Sequence, residues 1–295
     1  MKKLLILVLS SNTYPSKRNE KVLKKTWVLN NSKNVQTIFY KAGKKTSFIK
    51  NNLFVESGKQ TKDIGAKTIK AFDWALENIE FDYIFRTNSS SYINVKNLLN
   101  YLESFDEQNN FLYNGIVMSL PKNNSREAVD FISGAGILLN KQTIKLIIEN
   151  KDQFNNNEWD DVAIGMLLKK NGVKPTVGKR FDISGNIFYQ DIEKNFYHYR
   201  CRIDNHYGYP RFLEKFVILH LHNEFKNRKV SDVKILFYRN FFEISKIFYI
   251  QSPFWKIYNF ILNFSRKLIP KFIYKFIKKT FKKLDSAIKL RYLKK

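Results

Sequence analysis

The stretch that most constrains this chain is Phe81–Asn94, FDYIFRTNSSSYIN. Phe81, Tyr83, Ile84 and Phe85 form a short aromatic and β-branched run, the composition of a buried strand. The run breaks into six polar residues, Arg86-Thr87-Asn88-Ser89-Ser90-Ser91, before apolar character returns at Tyr92 and Ile93. A buried strand ending in short hydroxyl and amide side chains is where an α/β sheet presents a ligand site. An ordinary strand followed by a polar turn would read the same way.

Taken in order, Leu4–Leu9 predicts strand one, ending in Ser10-Ser11-Asn12. Lys17–Leu29 reads as a charged helix with Val22, Leu23 and Trp27 on its apolar side. Val35–Tyr40 is a second strand closed by a turn at Lys41-Ala42-Gly43-Lys44, and Leu53–Val55 a short third. Ile64–Ile79 places Ile64, Ile69, Phe72, Ala75, Leu76 and Ile79 close to helical spacing and runs into the opening strand. The order β-α-β-β-α-β is that of a sheet covered by helices. Val95–Leu102 then reads as a helix, Phe111–Leu120 and Asp130–Asn140 as strands, and Thr143–Glu149 as a short helix. Gly134 and Gly136 mark a bend or a close backbone approach. Glu158–Lys170 opens acidic and closes basic, matching a helix macrodipole, and stops at Asn171-Gly172. Lys174–Val177 and Phe216–Leu221 read as the last strands.

Composition adds bounds. With 44% hydrophobic and 16% aromatic residues in 295, the chain can build a core and is not a disordered sequence. The single cysteine, Cys201, precludes an intramolecular disulfide and suits a reducing compartment such as a bacterial cytoplasm. The opening MKKLLILVLSS has only six apolar residues in its run and no small-residue cleavage site, so it reads as a strand rather than a signal peptide.

The net charge of +26 is unevenly placed. Residues 229–295 hold 17 Lys and Arg against Asp232, Glu243 and Asp285, a net of +14, which leaves +12 for the first 228 residues. Within that tail Phe272, Phe276, Phe281, Leu284 and Ile288 fall on one side of a helix and lysines on the other, with Pro253 and Pro270 dividing the region. Basic amphipathic helices with aromatic anchors lie in the membrane interface. No stretch reaches the ~18 uninterrupted apolar residues of a spanning helix. The expected division is a domain over 1–228 and a membrane-association region over 229–295, the latter resting on an anionic membrane surface. A helical appendage packed on the domain, or a nucleic-acid-binding tail, are the alternatives; no nucleic acid is expected as partner.

Several boxes in order resemble the Fringe-like β-1,3-glycosyltransferases, glycosyltransferase family 31, over roughly residues 1–225. Lys24-Lys25-Thr26-Trp27 resembles its basic-x-Thr-Trp box, and Lys67-Thr68 through Trp74 its Lys-Thr…Trp helix. Ser133-Gly134-Ala135-Gly136 is similar to the glycine-rich segment lining donor and acceptor. Glu158-Trp159-Asp160-Asp161-Val162 with Gly165 resembles the acidic box, and His220-Leu221-His222 sits where the family has a late histidine. The resemblance implies a GT-A fold, a Rossmann-like mixed sheet flanked by helices, here followed by a C-terminal basic amphipathic helical region. It implies an inverting transfer from a nucleotide-sugar, UDP-sugar in the first instance, to a glycan or lipid-linked acceptor.

The departure lies in the opening stretch. Where the family has three aspartates that bind a metal, this chain has Asn88, Ser89 and Ser90. Neutral oxygens alone are poor ligands for Mn²⁺ or Mg²⁺, so no protein metal ligand is assigned. Arg86 and nearby lysines, Lys67 among them, are expected to neutralise the diphosphate instead, or a metal is held mainly by the diphosphate and one histidine. By the resemblance Asp161 is the general base, with Asp160 its fallback; two plain acids at a helix start would look the same. Ser10, Ser11 and Asn12 are candidates for the nucleotide, and Gly134, Ala135, Gly136 and Trp159 for the acceptor side. His220 and His222, at i and i+2 on a strand, would point the same way toward the phosphates. The Asp204–Gly208 segment is suited to gripping a sugar. A non-catalytic carbohydrate-binding relative, or a nucleic-acid-binding α/β protein using the basic tail, are the competing readings.

Overall fold

The structure is a computed structural model and describes residues 2–30, 33–58, 60, 63–105, 111–122, 127–204 and 208–251. At its centre is β1, Leu4–Leu9, six apolar residues of which Leu4 to Val8 are buried and Leu9 is half-buried. β1 pairs in parallel with β2 (Val35–Gly43) on one side and with β5 (Tyr83–Asn88) on the other. The strand β2 continues through the residues expected to form a turn. Beyond β2 come β4 (Asn52–Glu56) and the edge strand β3 (Ser47–Ile49). Beyond β5 come the antiparallel strands β8 (Val129–Asn140) and β7 (Tyr113–Leu120), then β9 (Thr176–Val177). The eight-stranded order is β3-β4-β2-β1-β5-β8-β7-β9.

Strand alternation divides the core. Leu5, Leu7, Ile38, Tyr40 and Ile84 face α2 (Ile64–Asn78), α4 (Lys141–Glu149) and α5 (Asp160–Lys170). Ile6, Val8, Phe39 and Phe85 face the opposite layer. That layer holds α1 (Ser16–Leu23), α3 (Val95–Glu103), α6 (Glu214–Phe225) and a small sheet. A sheet covered by helices on both faces explains the near-continuous apolar strands. This mixed sheet flanked by helices matches the GT-A fold that the family resemblance implies.

Three readings need correction. Phe216–Leu221 is not a strand but the middle of α6, whose Val217, Ile218 and Leu221 are buried. The helix expected over Lys17–Leu29 ends at Leu23 and is followed by a separate 3-10 turn at Trp27–Asn30. The small sheet, β10 (Arg180–Asp182), β11 (His198–Arg200) and β6 (Ser91–Ile93), has no counterpart among the expected elements. Gly172 does stop α5, at a left-handed φ of +77° that favours glycine.

α7, Asp232–Gln251, docks on the domain through Phe242, which is fully buried, while Asn186 Nδ2 donates to Glu243 Oε1 at 2.9 Å. Its other side exposes Val233, Leu236, Phe237 and Ile244. Among the described residues no helix is long and apolar enough to cross a membrane. The amphipathic pattern from Phe272 onward lies outside the described residues, as do residues 205–207 of the segment suited to gripping a sugar.

Candidate functional site

The parallel strands β1 and β5 end side by side: Leu9 is in register with Asn88, and Ser89 N–H donates to Leu9 O at 3.1 Å. Their carboxyl ends open the crevice where an α/β sheet takes its ligand. Ser10 turns inward, donating to Glu20 Oε2 at 2.7 Å; Asn12 is exposed and Ser11 half-buried, its hydroxyl 2.9 Å from that of Thr13. Asn88 caps the end of β5 by accepting Ser90 N–H at 3.1 Å. Ser89 and Ser90 are buried, Ser89 against Ser16 and Ser90 donating to Glu214 Oε2 at 2.9 Å.

Arg86 is the largest departure from expectation. Its side chain is 2% exposed, beneath the strand end rather than in the crevice. Nη2 donates to Asp160 Oδ2 at 2.5 Å, Nε to Tyr40 Oη at 3.0 Å, and Nη1 to Gly134 O. Burial alone would lower its pKa; Asp160 foremost, then Tyr40, outweighs that and keeps it charged. The expected diphosphate clamp is thus committed to internal partners, and so is Asp160, the expected fallback base. Lys67, in the first turns of α2, is buried near the same pair, and burial lowers its pKa against the pull of Asp63 and Asp160.

Gly134 connects the two acids. Its carbonyl accepts from Arg86 while its N–H donates to Asp161 Oδ2 at 2.7 Å. Asp161 is half-buried, the acid of the two with access to water. A Cβ at Gly134 would stand 3.0 Å from Asp161 Oδ2 and 3.1 Å from Arg86 Nη1, so close approach rather than a bend accounts for this glycine. Ala135 O accepts from Thr87 Oγ1 at 2.7 Å, and Gly136 lies under the ring of His198. The side chain of Trp159, just before α5, is 65% exposed beside the acids.

The histidines differ from expectation. On α6, residues two apart do not share a face: His222 Nδ1 lies 3.4 Å from Tyr92 Oη, while His220 packs against Phe188. Among the described residues, the histidine against the glycine segment is His198, unflagged in the sequence, with Nε2 3.0 Å from Ser91 Oγ. Burial first, then Arg180 and Arg200, holds it well below its usual pKa and therefore neutral. No linear pattern marks it; only pairing of β11 with β6 brings it there.

The strand-end residues do not fit a divalent cation. Asn88, Ser89 and Ser90 offer no carboxylate, and Glu214 beside them is taken by Asn19, Ser90 and Arg211. Among the described residues no three His, Cys, Asp or Glu side chains are grouped to hold a metal.

A protein-family model described as Galactosyltransferase matches residues 17–178, more than half the chain and a span that holds β5, the glycine segment and both acids. No curated protein matches the sequence. Among solved structures, a glycosyltransferase involved in glycosylation of the major capsid of PBCV-1 is 10% identical, covering 73% of this chain and 99% of its own, with a TM-score of 0.44. The glycosyltransferase GlyE of Streptococcus pneumoniae is 11% identical over 79% of this chain and 66% of its own, TM-score 0.42. An active-site mutant of LgtC is 10% identical over 70% of this chain and 88% of its own, TM-score 0.40.

Proposed function

The chain belongs to the galactosyltransferase family, and from that premise we propose that it is an inverting glycosyltransferase of the Fringe-like type, with Asp161 as general base. The donor is a nucleotide-sugar, UDP-sugar first, and the acceptor a hydroxyl of a glycan or lipid-linked glycan in surface-glycan synthesis. The sugar is a hexose or N-acetylhexosamine. The observation that carries the reading is the division of labour between the two acids: Asp160 is spent on Arg86, while Asp161 is held by Gly134 N–H with access to water.

In that reading the acceptor hydroxyl gives its proton to the Asp161 carboxylate as its oxygen bonds to the anomeric carbon. The bond from that carbon to the diphosphate oxygen breaks on the opposite face, and its electron pair leaves with the nucleoside diphosphate. Gly134 N–H fixes the base; Trp159 offers an exposed apolar face on which an acceptor sugar can stack. Ser11 and Asn12 line the nucleotide side of the crevice.

The chain works at the inner face of a bacterial cytoplasmic membrane, with residues 229–295 as the contact region. The exposed apolar row of α7 supports that placement. The test is release of nucleoside diphosphate from a panel of UDP-sugars, with and without a glycan acceptor fraction. Release stimulated by acceptor is the expected result; tight binding of glycan without any turnover would make the chain a carbohydrate-binding relative instead.

A further inference from the structure

A donor diphosphate carries at least two negative charges, yet the end of β5 offers it amide and hydroxyl groups alone. What stands against Ser90 is an arginine. Arg211, in the turn leading into α6, donates from Nη2 to Ser90 Oγ at 3.0 Å and from Nε to Glu214 Oε1 at 2.7 Å, with 30% of its side chain exposed.

From Arg211 a row of charged side chains runs through Asp204 and Arg202 to Arg200, Asp182 and Arg180 of the small sheet. Asp204 lies 3.6 Å from Arg211 and 2.8 Å from Arg202; Asp182 lies 3.8 Å from Arg200 and 3.0 Å from Arg180. Arg180 ends the row by donating to Ser133 Oγ at 3.0 Å, next to the glycine that holds Asp161. Pairing fixes this placement, since Arg200 is in register with both Asp182 and Ser91. The row therefore connects the end of β5 with the segment that positions the base.

Among the described residues, four arginines share the row with three acids, Asp182, Asp204 and Glu214. Burial, then Arg180, pulls the pKa of Arg200 down, with Arg202 adding to it and Asp182 and Asp204 opposing. Crowded guanidinium groups are relieved by an anion, and guanidinium forks match phosphate oxygens in pairs.

We propose that this arginine row, headed by Arg211 at Ser90, takes the charge of the donor diphosphate in place of a divalent cation. The nucleoside diphosphate then binds without metal, and the same groups stabilise it as it leaves. The inference rests on the donor-site reading given above.

Calorimetric titration with UDP, GDP and dTDP, in EDTA and in Mn²⁺, tests it on the full chain. The nucleoside diphosphate that binds is expected to keep its affinity in EDTA, and Arg200→Gln to weaken it about tenfold or more. Binding of the matching nucleoside, which lacks the phosphates, is expected to be unchanged by Arg200→Gln. Arg211→Gln should do the same to the diphosphate; because it strips buried Glu214 of its cation, its folding is checked by circular dichroism, and Arg200→Gln decides alone if it fails. Binding that requires Mn²⁺, or that is indifferent to Arg200→Gln, overturns the inference and leaves the donor site standing. No binding of any of the three under either condition overturns the donor-site reading, and this inference with it.

Discussion

Arg86 Nη2 and Asp160 Oδ2 lie 2.5 Å apart with both side chains withdrawn from water, joining the middle of the sheet to the first turn of α5. The pair carries Gly134 on one side and, through Tyr40, Thr68 of α2 on the other. Breaking one partner of a buried pair strands the other charge. Arg86→Met is therefore expected to destabilise the fold by about 3–5 kcal/mol, and the double variant Arg86→Met/Asp160→Leu by much less. Chemical denaturation of the single and double variants measures both.

The two glycines of the segment should separate stability from activity. A Cβ at Gly136 would run into the His198 ring and stand 2.9 Å from Phe85 Cζ, against packed rings on both sides. Gly136→Ala is expected to cost about 1–3 kcal/mol of stability. At Gly134 the nearest atom is the carboxylate of Asp161, at 3.0 Å, so Gly134→Ala should lower turnover more than melting temperature. Parallel thermal melts and turnover assays distinguish the two.

Acid should unfold the protein through two groups. His198 is held well below its usual 6.5, by burial first, so the unfolded chain takes up a proton there that the folded one refuses. Stability from this group is present above pH 6.5 and falls as pH drops below it, by at most about 1.4 kcal/mol per unit. Burial would raise Glu20, but hydrogen bonds from Lys24, Lys41 and Ser10 outweigh it and hold the carboxyl below 4.5. Its contribution is present above pH 4.5 and is lost as pH falls through the lowered value. Stability measured against pH in wild type and Glu20→Gln should converge in acid and diverge above it.

The outer row of α7 should matter to membranes and not to folding. Leu236 and Phe237 are more than half exposed, while Phe242 on the opposite side is in the core. Leu236→Ser/Phe237→Ser is expected to weaken sedimentation with anionic vesicles severalfold with a melting temperature within a few degrees of wild type. Phe242→Ser should unfold the docked helix instead.

The sheet was legible because strands buried on both faces read as short apolar runs bounded by polar residues, LLILVL and the run through Phe85 among them. α6 was not, because FVILHL is short and apolar enough to serve as strand or helix, and periodicity cannot arbitrate over six residues. The small sheet escaped because its strands are three residues each and hold Arg180, Asp182, His198 and Arg200, which no strand propensity favours. In the sequence Arg86 reads as the start of a polar strand end. Its burial depends on Asp160, 74 residues on, and a partner that distant leaves no local trace. The arginine row is invisible for the same reason, being assembled by pairing between β10, β11 and β6.

The most direct measurement is release of nucleoside diphosphate from the donor sugar nucleotide by wild type and Asp161→Asn, with donor affinity measured alongside. The variant is expected to bind donor within about twofold of wild type and to release product about 10²–10⁴-fold more slowly. A variant that turns over donor at the wild-type rate would contradict the base assignment, because some group other than Asp161 would then be taking the proton.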